Sequence, residues 1–247
     1  MLRLDQAMVD QSLSESREKA KRAILAGSVR VNGQVVSKAG HTVKPADVIT
    51  VSAGEKYVSR GGQKLEHGIK TLGVAVAGNC ALDVGASTGG FTDCLLQHGC
   101  AQVYAIDVGQ GQLAWKLRQD SRVVVMEKTN ARDLTFAKFP SGFSGADLAV
   151  IDCSFISLRK ILPTVANLLL PRGKIVALIK PQFEAGKAEA DKGAGVIRDP
   201  AVHERVLREL ETFVSTLAGC IWCQTTESPI LGPAGNKEFL VLIEKSC

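Results

Sequence analysis

The stretch Ala81-Leu82-Asp83-Val84-Gly85-Ala86-Ser87-Thr88-Gly89-Gly90-Phe91-Thr92-Asp93 decides the fold. An apolar run, a glycine-rich turn and a helical stretch follow one another without a gap. Glycines let a backbone approach a ligand where a side chain would block it. A turn of this kind sits at the carboxyl end of a strand, where open α/β sheets bind their ligands. A dinucleotide site would show G-x-G-x-x-G, which places pyrophosphate on a helix N-terminus. The spacing here differs, and an aspartate stands two residues before the first glycine.

Working outward, short apolar runs alternate with helical stretches. Strands are predicted at Cys80–Val84, Val103–Val108, Val123–Glu127, Leu148–Asp152 and Ile175–Lys180. Helices are predicted near Gly90–His98, Gln112–Arg118 and Leu158–Leu169. Another begins after Asp199-Pro200, a sound N-cap and N1 pair, and runs to about Leu217. Repeated strand–helix units imply a parallel sheet covered on both faces. The segments Ile221–Thr225 and Phe239–Glu244 have no helix between them and are predicted to close the sheet as an antiparallel hairpin.

The pattern D-x-G-x-x-x-G-G at Asp83–Gly90 resembles motif I of class I methyltransferases. The resemblance implies S-adenosylmethionine as ligand, held around Asp83, Gly85, Ser87, Thr88, Gly89, Gly90 and Phe91. Such a ligand is cationic and free of phosphate, so nearby carboxylates favour it. Asp107 ends the next strand and is placed to accept ribose hydroxyls. Asn130, after the third strand, is placed to reach the adenine.

The fourth strand ends in Asp152-Cys153-Ser154-Phe155 and the fifth in Lys180-Pro181-Gln182-Phe183-Glu184. Both tips face the crevice of the glycine loop. A lysine at the end of a buried strand needs a reason, because burying an ammonium is costly. Lys64 and Glu238 stand out beside it. Residues 185–198 are Gly-rich and charged. They read as a mobile loop that orders on substrate binding, with Lys187, Lys192 and Arg198 as candidate phosphate contacts.

Residues 1–52 read as a separate unit. Ser14 is the expected N-cap of a helix ending near Ala26, with Gly27 as its stop. Leu13, Ala20, Ala23 and Ile24 are expected to form its buried stripe. Asn32-Gly33 inside Val29–Val36 is a strong hairpin signal, and a strand at Val48–Val51 closes the unit. The stretch holds eight Lys or Arg against five Asp or Glu, over half of the chain's +5 net charge. That balance hints at a polyanionic partner. A helix with basic flanks followed by Val-Arg-Val-Asn-Gly resembles the S4 RNA-binding domain. The resemblance implies that Arg17, Lys19, Lys21, Arg22 and Arg30 contact RNA phosphates.

With a linker at 53–62 and a catalytic domain at 63–247, the chain as a whole resembles the TlyA family (hemolysin A by its other name). Its members are rRNA 2′-O-methyltransferases in which an S4 domain precedes an FtsJ-like domain. The resemblance implies a Rossmann-like class I methyltransferase sheet with helices on both faces, preceded by a small α+β S4 domain. It implies a Lys-Asp-Lys-Glu tetrad at Lys64, Asp152, Lys180 and Glu238, and the ribose 2′-hydroxyl of cytidine in ribosomal RNA or ribosomal subunits as substrate. Lys180 is then the candidate base. A free lysine keeps its proton near neutral pH, so burial or a like charge from Lys64 is expected to loosen it.

Other classes fit less well. The prolines expected of an amino-group methyltransferase are replaced by Cys153 and Ser154, and no cysteine follows a proline as carbon-5 transfer would need. Seven cysteines in a long chain suit reduced thiols and a cytoplasmic setting. The lone C-x-x-C at Cys220 and Cys223 lacks further ligands, so no metal is expected. No export signal or run of about 18 apolar residues supports a membrane-lytic protein. A non-catalytic RNA-binding assembly factor is the remaining alternative, opposed by the intact loop and tetrad.

Overall fold

The computed structural model describes residues 2–51, 56–186, 189 and 193–246. The chain divides into two compact units, Met1–Lys56 and Tyr57–Cys247.

In the first unit, β1 (Leu2–Arg3) leads into α1 (Leu4–Asp10) and α2 (Arg17–Leu25). The strands β2 (Val29–Val31), β3 (Gln34–Val35), β4 (Thr42–Val43) and β5 (Ile49–Val51) follow. The order β3-β2-β5 forms one small sheet, and β1 pairs with β4. Leu4, Met8, Ala20 and Ile24 from the helices pack with Val29, Val31 and Ile49 from the sheet. Asn32 and Gly33 both take positive φ, 49° and 81°, as a tight hairpin turn requires. The N-cap of α2 is Ser16 rather than Ser14: its side chain accepts from the Lys19 amide. Leu13 therefore precedes the helix and stays 36% exposed instead of joining the buried stripe.

The second unit opens with α3 (Gly61–Thr71), then β6 (Cys80–Val84), α4 (Gly90–Gln97), β7 (Gln102–Ile106), α5 (Trp115–Arg118) and β8 (Val123–Met126). It continues through β9 (Ala146–Ile151), α6 (Leu162–Leu168), β10 (Leu169–Ile179), α7 (Pro181–Glu184), α8 (Pro200–Ser215), β11 (Cys220–Glu227) and β12 (Phe239–Lys245). The seven strands run in the order β11-β12-β10-β9-β6-β7-β8. Strands β6 to β10 are parallel, and β12 runs antiparallel between β10 and β11. Alternate residues feed opposite layers, as the period of a strand demands. Ala149 and Ile151 pack with Leu162, Val165, Val206 and Leu210 of α6 and α8. Leu148 and Val150 pack with Leu65 and Ile69 of α3 and with Leu95 of α4.

Part of the expected linker belongs to this unit. Tyr57 is 2% exposed, the Val58 amide donates to Asp93 at 2.9 Å, and Gly61 and Gly62 begin α3. No described helix is long and apolar enough to cross a membrane. The chain leaves β6 toward β7 on one side and resumes with β9 on the other. Their carboxyl ends thus flank a topological switch point, where such sheets bind ligands.

Candidate active site

Gly85, at the end of β6, has φ +85°. A β-carbon there would lie 2.6 Å from the carbonyl oxygen of Asp152, so only glycine lets the loop lie against the tip of β9. The Asp152 amide donates back to the Val84 carbonyl at 3.0 Å, joining the two tips. Asp83 lies beneath the loop with no exposed surface. Thr92 donates to its Oδ2 at 2.6 Å, while Oδ1 has no protein partner. Burial pushes this carboxyl up to about 7; the Thr92 bond opposes the shift and the nearby Asp152 charge adds to it.

Asp107 follows β7. Its Oδ2 accepts from the Ser87 amide at 2.8 Å and its Oδ1 from the Gly109 amide at 2.7 Å. The carboxylate is thereby fixed, and each oxygen retains a lone pair for a hydroxyl donor. Asn130 caps a short 3₁₀ turn, accepting from the Arg132 amide at 3.1 Å. Gly85, Asp107 and Asn130 line a cleft of about 340 Å³. A second cleft of about 600 Å³ shares Gly85, Ser87, Asp152, Ser154 and Phe155 with it. Thr88, Gly90 and Phe91 line the second cleft, and Gly89 caps α4.

The larger cleft brings Lys64, Asp152, Lys180 and Glu238 together. Lys64, on α3, lies 2.5 Å from Glu238, which immediately precedes β12. Lys180, between β10 and α7, lies 2.5 Å from Asp152 Oδ1 and donates to Ser154 Oγ at 3.1 Å. Both lysines and Glu238 are buried, with side-chain exposures of 8%, 10% and 1%. Each ammonium has its own carboxylate, which offsets the cost of burying it.

Phe155 escaped the sequence reading. It is 90% exposed, has φ +62°, and its ring centre lies 5.1 Å from that of Phe183. An exposed phenylalanine in a left-handed backbone is unusual and marks strain at a site. Nothing in the string Cys153-Ser154-Phe155 signals that geometry. Arg60 and Asn236 also line the larger cleft and were not singled out.

Among the basic residues of the first unit, Arg17 is committed to structure. It donates to the buried Asp5 at 3.1 Å, and Arg3 donates to the same carboxylate. Lys19 pairs with Glu15 and Arg22 with Glu18, both one helical turn away. Arg30 donates to the Gly33 carbonyl at 3.0 Å. Lys21 and Arg198 are exposed. Lys187 and Lys192 lie outside the described residues.

Known proteins share these features. The family model for FtsJ-like methyltransferases matches residues 57–245, and that for S4 domains matches residues 2–49. A Bacillus subtilis protein, the putative rRNA methyltransferase YqxC, is 50% identical over 97% of this chain and 84% of its own length. The Mycobacterium tuberculosis 16S/23S rRNA (cytidine-2′-O)-methyltransferase TlyA is 43% identical over 97% of this chain and 88% of its own. A solved structure from Streptococcus thermophilus, described under a hemolysin name, is 44% identical. It superposes with a TM-score of 0.74 over 99% of this chain and 88% of that one.

Proposed function

Since the chain belongs to the FtsJ-like methyltransferase family and carries an S4 domain, we propose that it methylates ribose 2′-hydroxyls in ribosomal RNA, at cytidine. Its substrate is rRNA, free or within a ribosomal subunit, and its setting is the cytoplasm. The observation that carries this reading is the pair of buried ammonium–carboxylate contacts, Lys64–Glu238 and Lys180–Asp152, in a cleft continuous with the glycine loop. The activity named for the mycobacterial relative is consistent with it.

The residues fit S-adenosylmethionine. Asp83 Oδ1 is a buried acceptor without a protein partner, and Gly85 leaves the backbone open where a β-carbon would strike the Asp152 carbonyl. Asp83, Gly85, Ser87, Thr88, Gly89, Gly90 and Phe91 would hold the amino-acid end of the cofactor. Asp107 and Asn130 would hold the ribose and the adenine. When bound, the cofactor supplies an electrophilic methyl carbon on a sulfonium. The protein's task is to present a ribose oxygen to it. A hydroxyl is a poor nucleophile until its proton is taken or polarised. Lys180 Nζ, in its neutral amine form, takes that proton, and Asp152 stabilises the ammonium that results. Lys64, paired with Glu238, lines the same cleft and would hold the sugar edge. Correct alignment of the two reactants supplies much of the rate. Lys21, Arg22, Arg30 and Lys19 serve the RNA backbone from the S4 unit, and Arg198 from the catalytic unit.

The test incubates the protein and Lys180→Ala with tritiated S-adenosylmethionine and unmodified ribosomal subunits. Label is expected on one ribose, recognised as a linkage that resists alkaline hydrolysis. The variant is expected to lose roughly 10²–10⁴-fold in rate, the usual contribution of a positioned base. Label on a nucleobase would overturn the assignment of the four residues.

A further inference from the structure

Glu184 has no role in the chemistry outlined above, yet its surroundings are built with care. It closes α7, four residues beyond Lys180, and is buried at 8% exposure. Both its oxygens are taken by one loop: Oε2 accepts from Ser157 Oγ at 2.6 Å and Oε1 from the Leu158 amide at 2.7 Å. That loop begins at Asp152. The carboxylate therefore ties the tip of β9 to the tip of β10. Two further contacts join the same tips nearer the cleft: Lys180 Nζ reaches Ser154 and Asp152, and Phe155 packs on Phe183. A buried carboxylate spends much of its interaction energy offsetting desolvation. A neutral or apolar residue would cost less if filling space were the only need.

We infer that Glu184 is a positioning residue, clamping the loop after β9 so that Asp152 and Phe155 keep their places against Lys180 and Phe183. The clamp works at long range from the reacting oxygen. Ser157 and Leu158 fix the far end of the loop, Asp152 its near end. Between them Phe155 is held in its left-handed conformation, which the surroundings must over-determine to maintain. The inference rests on the reading of Lys180 and Asp152 as groups at the reacting centre.

The experiment compares full-length wild type, Glu184→Ala, Glu184→Gln, Lys180→Ala and Asp147→Asn with unmodified ribosomal subunits as substrate. Asp147 serves as the stability control: it accepts from the Cys80 amide at the opposite end of β9. Displacement of a reacting group by about 1 Å costs on the order of 10²-fold. The Glu184→Ala variant should therefore lose roughly 10- to 100-fold in kcat, with S-adenosylmethionine affinity by calorimetry within about threefold of wild type. The groups facing Lys180 are Asp152 and Ser154, with the Lys64–Glu238 pair in the same cleft. Loosening Asp152 removes support for the ammonium, so the rising limb of the pH–rate profile should move to lower pH. Gln keeps the shape and one acceptor and should restore part of the rate. Asp147→Asn should lower the unfolding temperature without moving the limb. If Glu184→Ala keeps wild-type kcat and limb while Lys180→Ala is inactive, the clamp is wrong and the site reading stands. A loss of rate in Glu184→Ala that leaves the limb in place, as in Asp147→Asn, would also overturn the clamp. Full activity in Lys180→Ala would overturn the site reading and the inference together.

Discussion

Asp5 and Asp83 are both fully buried carboxylates, and their surroundings push them in opposite directions. Hydrogen bonds from Arg3, then from Arg17, hold Asp5 down at about 2 despite burial. Burial holds Asp83 up at about 7. The signs for stability follow. Asp5 contributes stability that is present above its unfolded value near pH 4 and is lost as pH falls toward 2. The folded chain favours the protonated form of Asp83, so that contribution is full below about pH 4 and is lost as pH rises toward 7. Asp83→Asn should therefore flatten the decline in unfolding temperature between pH 4.5 and pH 8, and leave the pH 8 value equal to or above wild type. The same variant should bind S-adenosylmethionine more weakly. Thermal melts that run parallel for the two proteins across this range would refute the assignment. The residues that could be read from the sequence share one property: Asp83, Asp107, Asp152 and Lys180 are charged groups at the ends of apolar runs, where burial makes charge conspicuous. Lys64 and Glu238 lack that contrast; they stand out in the sequence, but their roles came only with the family resemblance. Phe155 and Glu184 were invisible, because an exposed ring and a loop clamp depend on backbone geometry and long-range contacts.

Glycines at turns show why elements were read with uneven success. Gly33 and Gly85 have similar φ, 81° and 85°. A β-carbon at Gly33 would meet nothing within 4 Å, whereas at Gly85 it would strike the Asp152 carbonyl at 2.6 Å. Gly33→Ala should thus cost only the left-handed backbone penalty, about 1–2 kcal/mol. Gly85→Ala should cost more and should also reduce S-adenosylmethionine binding, because the loop must move off the tip of β9. Denaturant unfolding with calorimetric titration distinguishes the two; equal losses of stability with intact cofactor binding would contradict the close approach. The same double meaning misled the reading of Gly61-Gly62. Paired glycines resemble a linker, but here they open α3, and a β-carbon on Gly62 would fall 2.2 Å from the Tyr57 ring. Helix α1 is only seven residues long, too short for apolar periodicity to declare itself. The helix expected over Gln112–Arg118 is a single turn, Trp115–Arg118, since Gly109 and Gly111 keep the preceding segment in a loop. By contrast β6, α8 and the β11–β12 hairpin were legible, because an apolar run or a cap and proline marks each one locally.

At the scale of the whole molecule, charge and chemistry reside in different units. The first 52 residues hold much of the net positive charge, while both clefts lie in the second unit. If the S4 unit serves RNA affinity and the second unit serves transfer, the two functions should separate by salt dependence. Every phosphate neutralised by a basic side chain releases counterions. Removing one such side chain therefore changes the slope of log affinity against log salt by about 0.7–0.9. Lys21 and Arg30 are the residues to remove. Arg17 is unsuitable, since it supports the buried Asp5 and its loss would unfold as well as unbind. The double variant Lys21→Ala, Arg30→Ala should reduce the slope by roughly 1–2, raise KM for ribosomal subunits, and leave kcat at saturating substrate near wild type. Lys180→Ala should do the reverse, cutting transfer roughly 10²–10⁴-fold with the slope unchanged. Filter binding of rRNA across a range of salt concentrations, beside single-turnover transfer, reads both quantities. An unchanged slope in the double variant would mean that the S4 unit contributes shape rather than charge. The basic side chains of α2 and the hairpin would then be ordinary solvated surface, weakly paired with Glu15 and Glu18.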